Sequence, residues 1–331
     1  MTIPVITFFN NTGGVGKTSM VYHLSWMLAD RGLRIIAADL DPQSNLTASF
    51  LDEDRLEEIA SNGHSQTVFG AVQPLKEGTG DVLDPHVESI SGRLALIPGD
   101  MALSTFEDDL SEVWPKSMEG DSRAFRVTSA FWRIAQSAGR KHGADVILFD
   151  LGPNLGAINR ASLIASDFIV IPLGPDLFSL QGLNNLGPAV RAWREGWTQR
   201  LSRKPPAGLN LPSGRIQPIG YLVLRHSIRL DRPVKAFERW IARMPSTYAN
   251  AVLQEAPDLS VTTDTDPHCI AKIKDYRSLM PLAQEARKPM FFLKPADGAL
   301  GAHTYAVTDC YSEFKKVAVE IAHRAGLNPL T

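Results

Sequence analysis

Ten residues near the N-terminus, Asn10-Asn11-Thr12-Gly13-Gly14-Val15-Gly16-Lys17-Thr18-Ser19, combine the residue types that hold the phosphates of a nucleotide. Glycines let backbone N–H groups turn inward around phosphate oxygens, and a helix opening at this point adds favourable potential for negative charge. Lys17 is the cation that reaches the β- and γ-phosphates, and the Thr18 hydroxyl is a ligand for Mg²⁺. Thr12, Gly13, Gly14, Val15, Gly16 and Ser19 complete the expected nucleotide-binding set. A glycine-rich turn with a chance Lys-Thr pair is the plain alternative. The position, after a strand-like run and before a helical pattern, argues against it. Three carboxylates, Asp39, Asp41 and Asp150, follow other strand-like runs. In a parallel sheet those ends converge, and Mg²⁺ keeps most of its waters and takes few protein carboxylates. Asp150, with Asp39 sharing the task, suits that role. Asp41-Pro42 also reads as a turn signal, so Asp41 has a structural alternative.

The elements that must position these groups are legible as alternation. Strand-like apolar runs occur at 5–9, 34–38, 94–97, 146–149, 168–171 and 219–224, and helical patterns at 17–30, 123–140, 180–193, 234–243 and 312–324. This rhythm predicts an α/β fold, a doubly wound, mostly parallel sheet with helices on both faces. The last helix carries Phe314, Val317, Ala318 and Ile321 on one face and stops at Gly326, a C-cap signal. Polar stretches at about 52–88 and 200–216 read as loop insertions in a single domain spanning 1–331.

The glycine pair at 13–14, with Asn11 in place of an earlier glycine, is the variant phosphate loop of the ParA/Soj/MinD family of partitioning and positioning ATPases, which this sequence resembles. Asp39-Leu40-Asp41-Pro42-Gln43 is similar to the family's D-x-D-P-Q segment. Ile147-Leu148-Phe149-Asp150 resembles its Walker B strand, and Phe178-Ser179-Leu180-Gln181-Gly182-Leu183 and Ala283-Gln284-Glu285-Ala286-Arg287-Lys288-Pro289 resemble two later motifs. The resemblance implies ATP and Mg²⁺ as cofactors and a homodimer in the ATP state. It also implies that Asp41 supports hydrolysis, where one oriented carboxylate suffices because the protein mainly positions water. Arg225 is placed like a family residue near the base, and Arg229, Arg232, Lys235 and Arg239 where family members hold DNA backbone, with Trp240 and Phe237 expected on the core-facing side of the 234–243 helix. One departure stands out. The family's signature lysine, which reaches a partner's phosphates, is Thr12 here, and a neutral hydroxyl cannot supply that charge.

The whole chain adds boundaries. A net charge of −2 over 331 residues divides into −8 for 1–165 and +6 for 166–331, with +9 concentrated at 191–243. Such a stripe is an electrostatic footprint for a polyanion, or a solvated helical face. No apolar run approaches the ~20 residues of a membrane span. The few residues after Gly326 are too short for an amphipathic membrane tail. Cys269 and Cys310 fit no metal or redox spacing, which predicts a cytoplasmic, reducing setting. The expectation is therefore a ParA-like Mg-ATPase that positions DNA or a protein cargo. The alternatives are a regulatory switch on a protein partner without DNA and, behind it, an ATP-dependent ligase of the same fold.

Overall fold

The structure is a computed structural model. It describes residues 2–203, 205–226, 228–229, 232–233, 235–276 and 278–328, with the side chains of 225–236 outside that description. The chain opens with β1 (Val5–Phe8), α1 (Lys17–Asp30) and β2 (Ile35–Asp39), then α2 (Asn45–Phe50), α3 (Glu53–Ser61) and α4 (Val68–Glu77). There follow β3 (Glu88–Ser91), β4 (Leu94–Ile97), α5 (Phe106–Lys116), α6 (Ser122–Thr128) and α7 (Ala130–His142). The middle is β5 (Val146–Asp150), α8 (Ala157–Ile164), β6 (Phe168–Leu173), α9 (Leu177–Leu201) and β7 (Gln217–His226). A short hairpin, β8 (Ile228–Arg229) and β9 (Arg232–Pro233), precedes α10 (Lys235–Ile241), α11 (Met244–Tyr248), β10 (Cys269–Lys274), α12 (Met280–Ala286) and α13 (Ala302–Arg324).

Eight strands form one sheet in the order β10-β7-β6-β1-β5-β2-β4-β3, and every pairing is parallel except β3 with β4. The expected doubly wound α/β fold is the fold observed. Strand alternation explains the layers. Ile36, Ile147 and Phe149 face one core, and Ile35, Val146 and Leu148 face the other, because successive side chains leave opposite faces. The first core packs against α4–α9 and the second against α1 and α13. Both faces are covered, which is why these strands are apolar throughout.

Some boundaries differ from the sequence reading. β2 runs one residue further, so Asp39 is its last residue. The expected helix at 123–140 is two, α6 and α7, separated at Ser129, whose hydroxyl donates back to the Phe125 carbonyl at 2.7 Å. α9 begins at Leu177, where Asp176 accepts the Ser179 N–H at 2.8 Å, and passes through Pro188 to Leu201. Its far end is anchored by the fully buried Trp197. α13 starts at Ala302, ten residues before the apolar stripe suggested, and Gly326 closes it at φ +69°. The 52–88 stretch holds α3 and α4 and ends at the first residue of β3, and α4 buries Val68, Phe69, Ala71, Val72 and Leu75. Its polar character belongs to α3, which buries Ile59 alone.

Candidate functional site

The site lies where the sheet reverses its winding. β1 is flanked by β5 and β6, and the register places Asp150 opposite Phe8 on one side and opposite Asp39 on the other. Three strand ends thus converge at their carboxyl termini, the crevice where open α/β sheets bind ligands. The loop 10–16 leaves β1 there and turns into α1. Gly14 at φ +71° and Gly16 at φ +85° occupy left-handed backbone that side chains resist. Gly16 is the N-cap of α1 and brings no side-chain cap, and no acidic residue occupies the first turn. The first N–H groups of α1 are therefore left for a ligand, with the positive end of the helix dipole behind them.

Lys17 is buried, and its Nζ donates to the Thr12 carbonyl at 3.0 Å. Burial pushes its pKa below the usual lysine range, opposed by the nearby charges of Asp150 and Asp41. The Thr12 N–H donates to Asn10 Oδ1 at 3.0 Å, and the Thr12 hydroxyl donates to the Phe178 carbonyl at 3.2 Å, tying the loop to the first turn of α9. A methyl at Gly182 would lie 2.6 Å from Asn10 Oδ1 and 2.9 Å from Thr12 Oγ1. Only glycine lets α9 approach the loop this closely.

The three carboxylates do different work. Asp39 is fully buried and saturated by the protein: Oδ2 accepts the Thr47 N–H at 2.8 Å and the Thr47 hydroxyl at 2.7 Å, and Oδ1 accepts the Asp41 N–H at 3.3 Å. Burial pushes its carboxyl up to about 7, against the pull of the Thr47 hydrogen bonds. Asp41 Oδ1 accepts the Gln43 N–H at 3.0 Å, and a methyl at Gly152 would lie 3.1 Å from that oxygen. Asp150 is the unsatisfied one. Both of its oxygens are buried without a hydrogen-bond partner. Burial, then the Asp39 charge, holds its carboxyl well above the ordinary range, while the Thr18 hydroxyl beside it favours ionisation. A buried carboxylate so sparsely partnered costs free energy unless a cation meets it. Among the described residues no three His, Cys, Asp or Glu side chains form a metal cluster. Mg²⁺ needs only one or two protein groups alongside phosphate oxygens and water. Asn11 Oδ1 is a second buried acceptor without a partner at the same loop.

These shifts carry a pH consequence. A carboxyl whose pKa is raised on folding contributes stability that is complete below the unfolded value of about 4 and is lost as pH rises through the folded value. For Asp39 that loss accumulates from about pH 4 upward and is complete above about 7. Asp150→Asn, which removes the unpaired charge, raises the melting temperature of the ligand-free protein at about pH 8, by ~2–4 °C for each kcal/mol recovered. It also flattens the fall in stability between about pH 5 and pH 8. Scanning calorimetry at both pH values checks this, and a lower melting temperature for the variant at the higher pH contradicts it.

A cavity of about 460 Å³ adjoins the loop on the α1 side, lined by Val15, Gly16, Leu224, Ile273, Tyr276 and Met280 among others. Its apolar walls and its place beside the phosphate loop suit a flat base. The sequence reading missed it because its wall is assembled from segments far apart in the chain, including β10 and the turn after it. That edge strand, Cys-Ile-Ala-Lys-Ile-Lys, is half-buried and lacks a clean alternation. The Arg225 side chain, assigned to the base, lies outside the described residues, as do those of Arg229, Arg232 and Lys235. Arg239 is exposed on α10, with its guanidinium carbon 4.3 Å from the Trp240 ring centroid. Phe237, expected on the core side of that helix with Trp240, is instead exposed, whereas Trp240 and Ile241 pack on the core.

A glycine-rich strand-to-helix loop, a buried lysine and a buried carboxylate at the switch point of a doubly wound sheet are the arrangement of the P-loop NTPase fold. The family model described as an AAA domain matches residues 3–202. The chain belongs to that family, and the curated relatives it resembles are ParA-like. It is similar to protein IncC of Escherichia coli, 31% identical over 198 residues, which are 59% of this chain and 47% of IncC. It is also similar to the sporulation initiation inhibitor protein Soj of Bacillus subtilis, 29% identical over 187 residues, 56% of this chain and 64% of Soj. The chain thus spans about half to two thirds of the length of the curated relatives it matches. Among solved structures, protein DIP2308 from Corynebacterium diphtheriae superposes with a TM-score of 0.68 at 23% identity, covering 98% of this chain and 99% of that one. The ATP complex of a Cyanothece McdA variant does so with a TM-score of 0.65 at 16% identity, covering 100% and 99%. At such identities the likeness is one of fold. No described helix is long and apolar enough to cross a membrane.

Proposed function

We propose that the chain is a slow Mg-ATPase whose nucleotide state switches its association, forming a homodimer with ATP and engaging DNA or a protein cargo. The observation that carries the reading is Asp150, a fully buried carboxylate whose oxygens make no close hydrogen bond and which stands beside Thr18 and Lys17. Thr18 and Asp150 would hold Mg²⁺, the second through water, and the bound ion would neutralise charge on the β- and γ-phosphates. Asp39 is better suited to positioning, since its oxygens already hold Thr47 and the Asp41 amide. Lys17 leaves the Thr12 carbonyl to meet the phosphates, and the α1 N–H groups cradle them. Asp41 orients the attacking water, its Oδ1 fixed by Gln43. Relatives named for partitioning support the cargo part of this reading, as does the name plasmid-partitioning protein ParA carried by a Thermus thermophilus relative that is 30% identical over 207 residues.

A regulatory switch that binds a protein partner without DNA is the second reading. The observation favouring it is Thr12, whose hydroxyl is spent within its own chain on Phe178. DNA retention separates the two. In the first reading, protein with Mg²⁺ and a non-hydrolysable ATP analogue retains long duplex DNA of any sequence, more weakly with ADP. Affinity then falls by ~0.9 log units per phosphate contact for each log unit of salt. Charge reversal at Arg232, Lys235 and Arg239 together weakens binding to all sequences and flattens that slope. Failure of the wild-type protein to retain DNA at low salt decides for the protein-partner reading.

A further inference from the structure

Behind the reacting centre, the loop 151–156 joins Asp150 to α8 and touches two parts of the site. Its Gly152 abuts Asp41 Oδ1, and the Pro153 ring lies 4.0 Å from where a side chain on Gly13 would begin. What holds this loop is therefore what holds the ground behind Asp41. The loop ends at Gly156, the N-cap of α8, which has no side chain to satisfy the first N–H groups of the helix. The cap comes from another element. Glu107, in the first turn of α5 and 50 residues away, accepts the Ala157 N–H with one oxygen and the Ile158 N–H at 2.8 Å with the other.

The other end of the loop is held from α8 itself. The Asn159 side chain, almost fully buried, donates to the Gly152 carbonyl at 2.8 Å and the Asn154 carbonyl at 2.7 Å. A continuous path thus runs from the Glu107 carboxylate through the first turn of α8 to the Gly152 backbone and Asp41. We propose that Glu107 is a positioning residue for ATP turnover: by capping α8 in trans it fixes the loop that backs Asp41, without touching nucleotide. A bidentate carboxylate at a helix N-terminus is a strong local fixture, because both oxygens meet N–H groups that lack intrahelical partners. A second tie joins the same helices. Arg160 on α8 donates to the Leu110 carbonyl of α5 at 2.9 Å and stacks 4.6 Å over the Trp114 ring. It keeps α8 against α5 when Glu107 is changed, so the consequence of losing the cap is a shift of the loop.

The proposal rests on Asp41 acting as the water-orienting carboxylate. Steady-state phosphate release and affinity for an ATP analogue, measured together on Glu107→Ala, Glu107→Asp and Glu107→Gln, test it. Misplacement of a reacting group by about 1 Å costs up to ~100-fold in rate, so Glu107→Ala is expected to lose roughly 10-fold to 100-fold in kcat. KM and analogue affinity stay at wild-type values. Glu107→Gln keeps one acceptor oxygen and recovers part of the rate. Glu107→Asp is too short to reach both N–H groups and resembles alanine despite keeping its charge. Wild-type kcat in Glu107→Ala overturns the proposal, as does a loss that appears in KM or affinity, or an equal loss in all three variants. If Glu107→Ala does not fold, the split between Gln and Asp decides alone. Wild-type protein without turnover sinks the ATPase reading itself, a failure visible before any variant is made.

Discussion

Lys17→Ala abolishes detectable ATP binding while leaving the fold intact. The Lys17 ammonium is desolvated, donates to the Thr12 carbonyl at 3.0 Å, and feels the charges of Asp150 and Asp41. Charge-assisted hydrogen bonds contribute ~1.5–3 kcal/mol each, so losing contacts to two phosphates costs at least ~100-fold in affinity. Stability moves little, because the substitution removes a buried charge along with one modest contact. Titration calorimetry with a non-hydrolysable analogue reads the loss, and circular dichroism confirms the fold. An affinity within about threefold of wild type, less than 1 kcal/mol, means that phosphates are held elsewhere.

Asp41→Ala gives the second large effect, and it separates chemistry from binding. The Asp41 carboxylate accepts the Gln43 N–H and lies against Gly152, in a buried corner beside the phosphate loop. A carboxylate that orients or deprotonates water contributes ~10²–10⁴-fold to rate, and its removal leaves ground-state affinity in place. The variant therefore binds ATP, fails to release phosphate in a single turnover, and accumulates in the ATP state. Phosphate release at the wild-type rate assigns the role to another group.

What the sequence disclosed and what it withheld divide by distance along the chain. The phosphate loop was legible because its function is local: glycines, lysine and threonine act within eight residues of one another. The sheet was legible because each buried strand is apolar on both faces. Asp39 shows the limit. Its type and position suit a metal ligand, yet Thr47 and the Asp41 amide use both of its oxygens. Thr47 is held in turn by the Gly99 N–H, 52 residues on, a contact no local pattern announces. The base-sized cavity and the trans cap by Glu107 are likewise made by partners far apart in sequence. Phe237 misled for a different reason. A helix of seven residues gives too few turns for an apolar stripe to point reliably to the core.

The central claim is that ATP, held by this loop with Mg²⁺, switches the association of the chain. Light scattering coupled to size exclusion tests it on the wild-type protein without nucleotide, with Mg-ADP, and with Mg²⁺ and a non-hydrolysable ATP analogue. The account predicts the chain mass of 36.3 kDa in the first two conditions and twice that mass in the third. One unchanged mass in all three, with analogue binding established by calorimetry in the same sample, contradicts it.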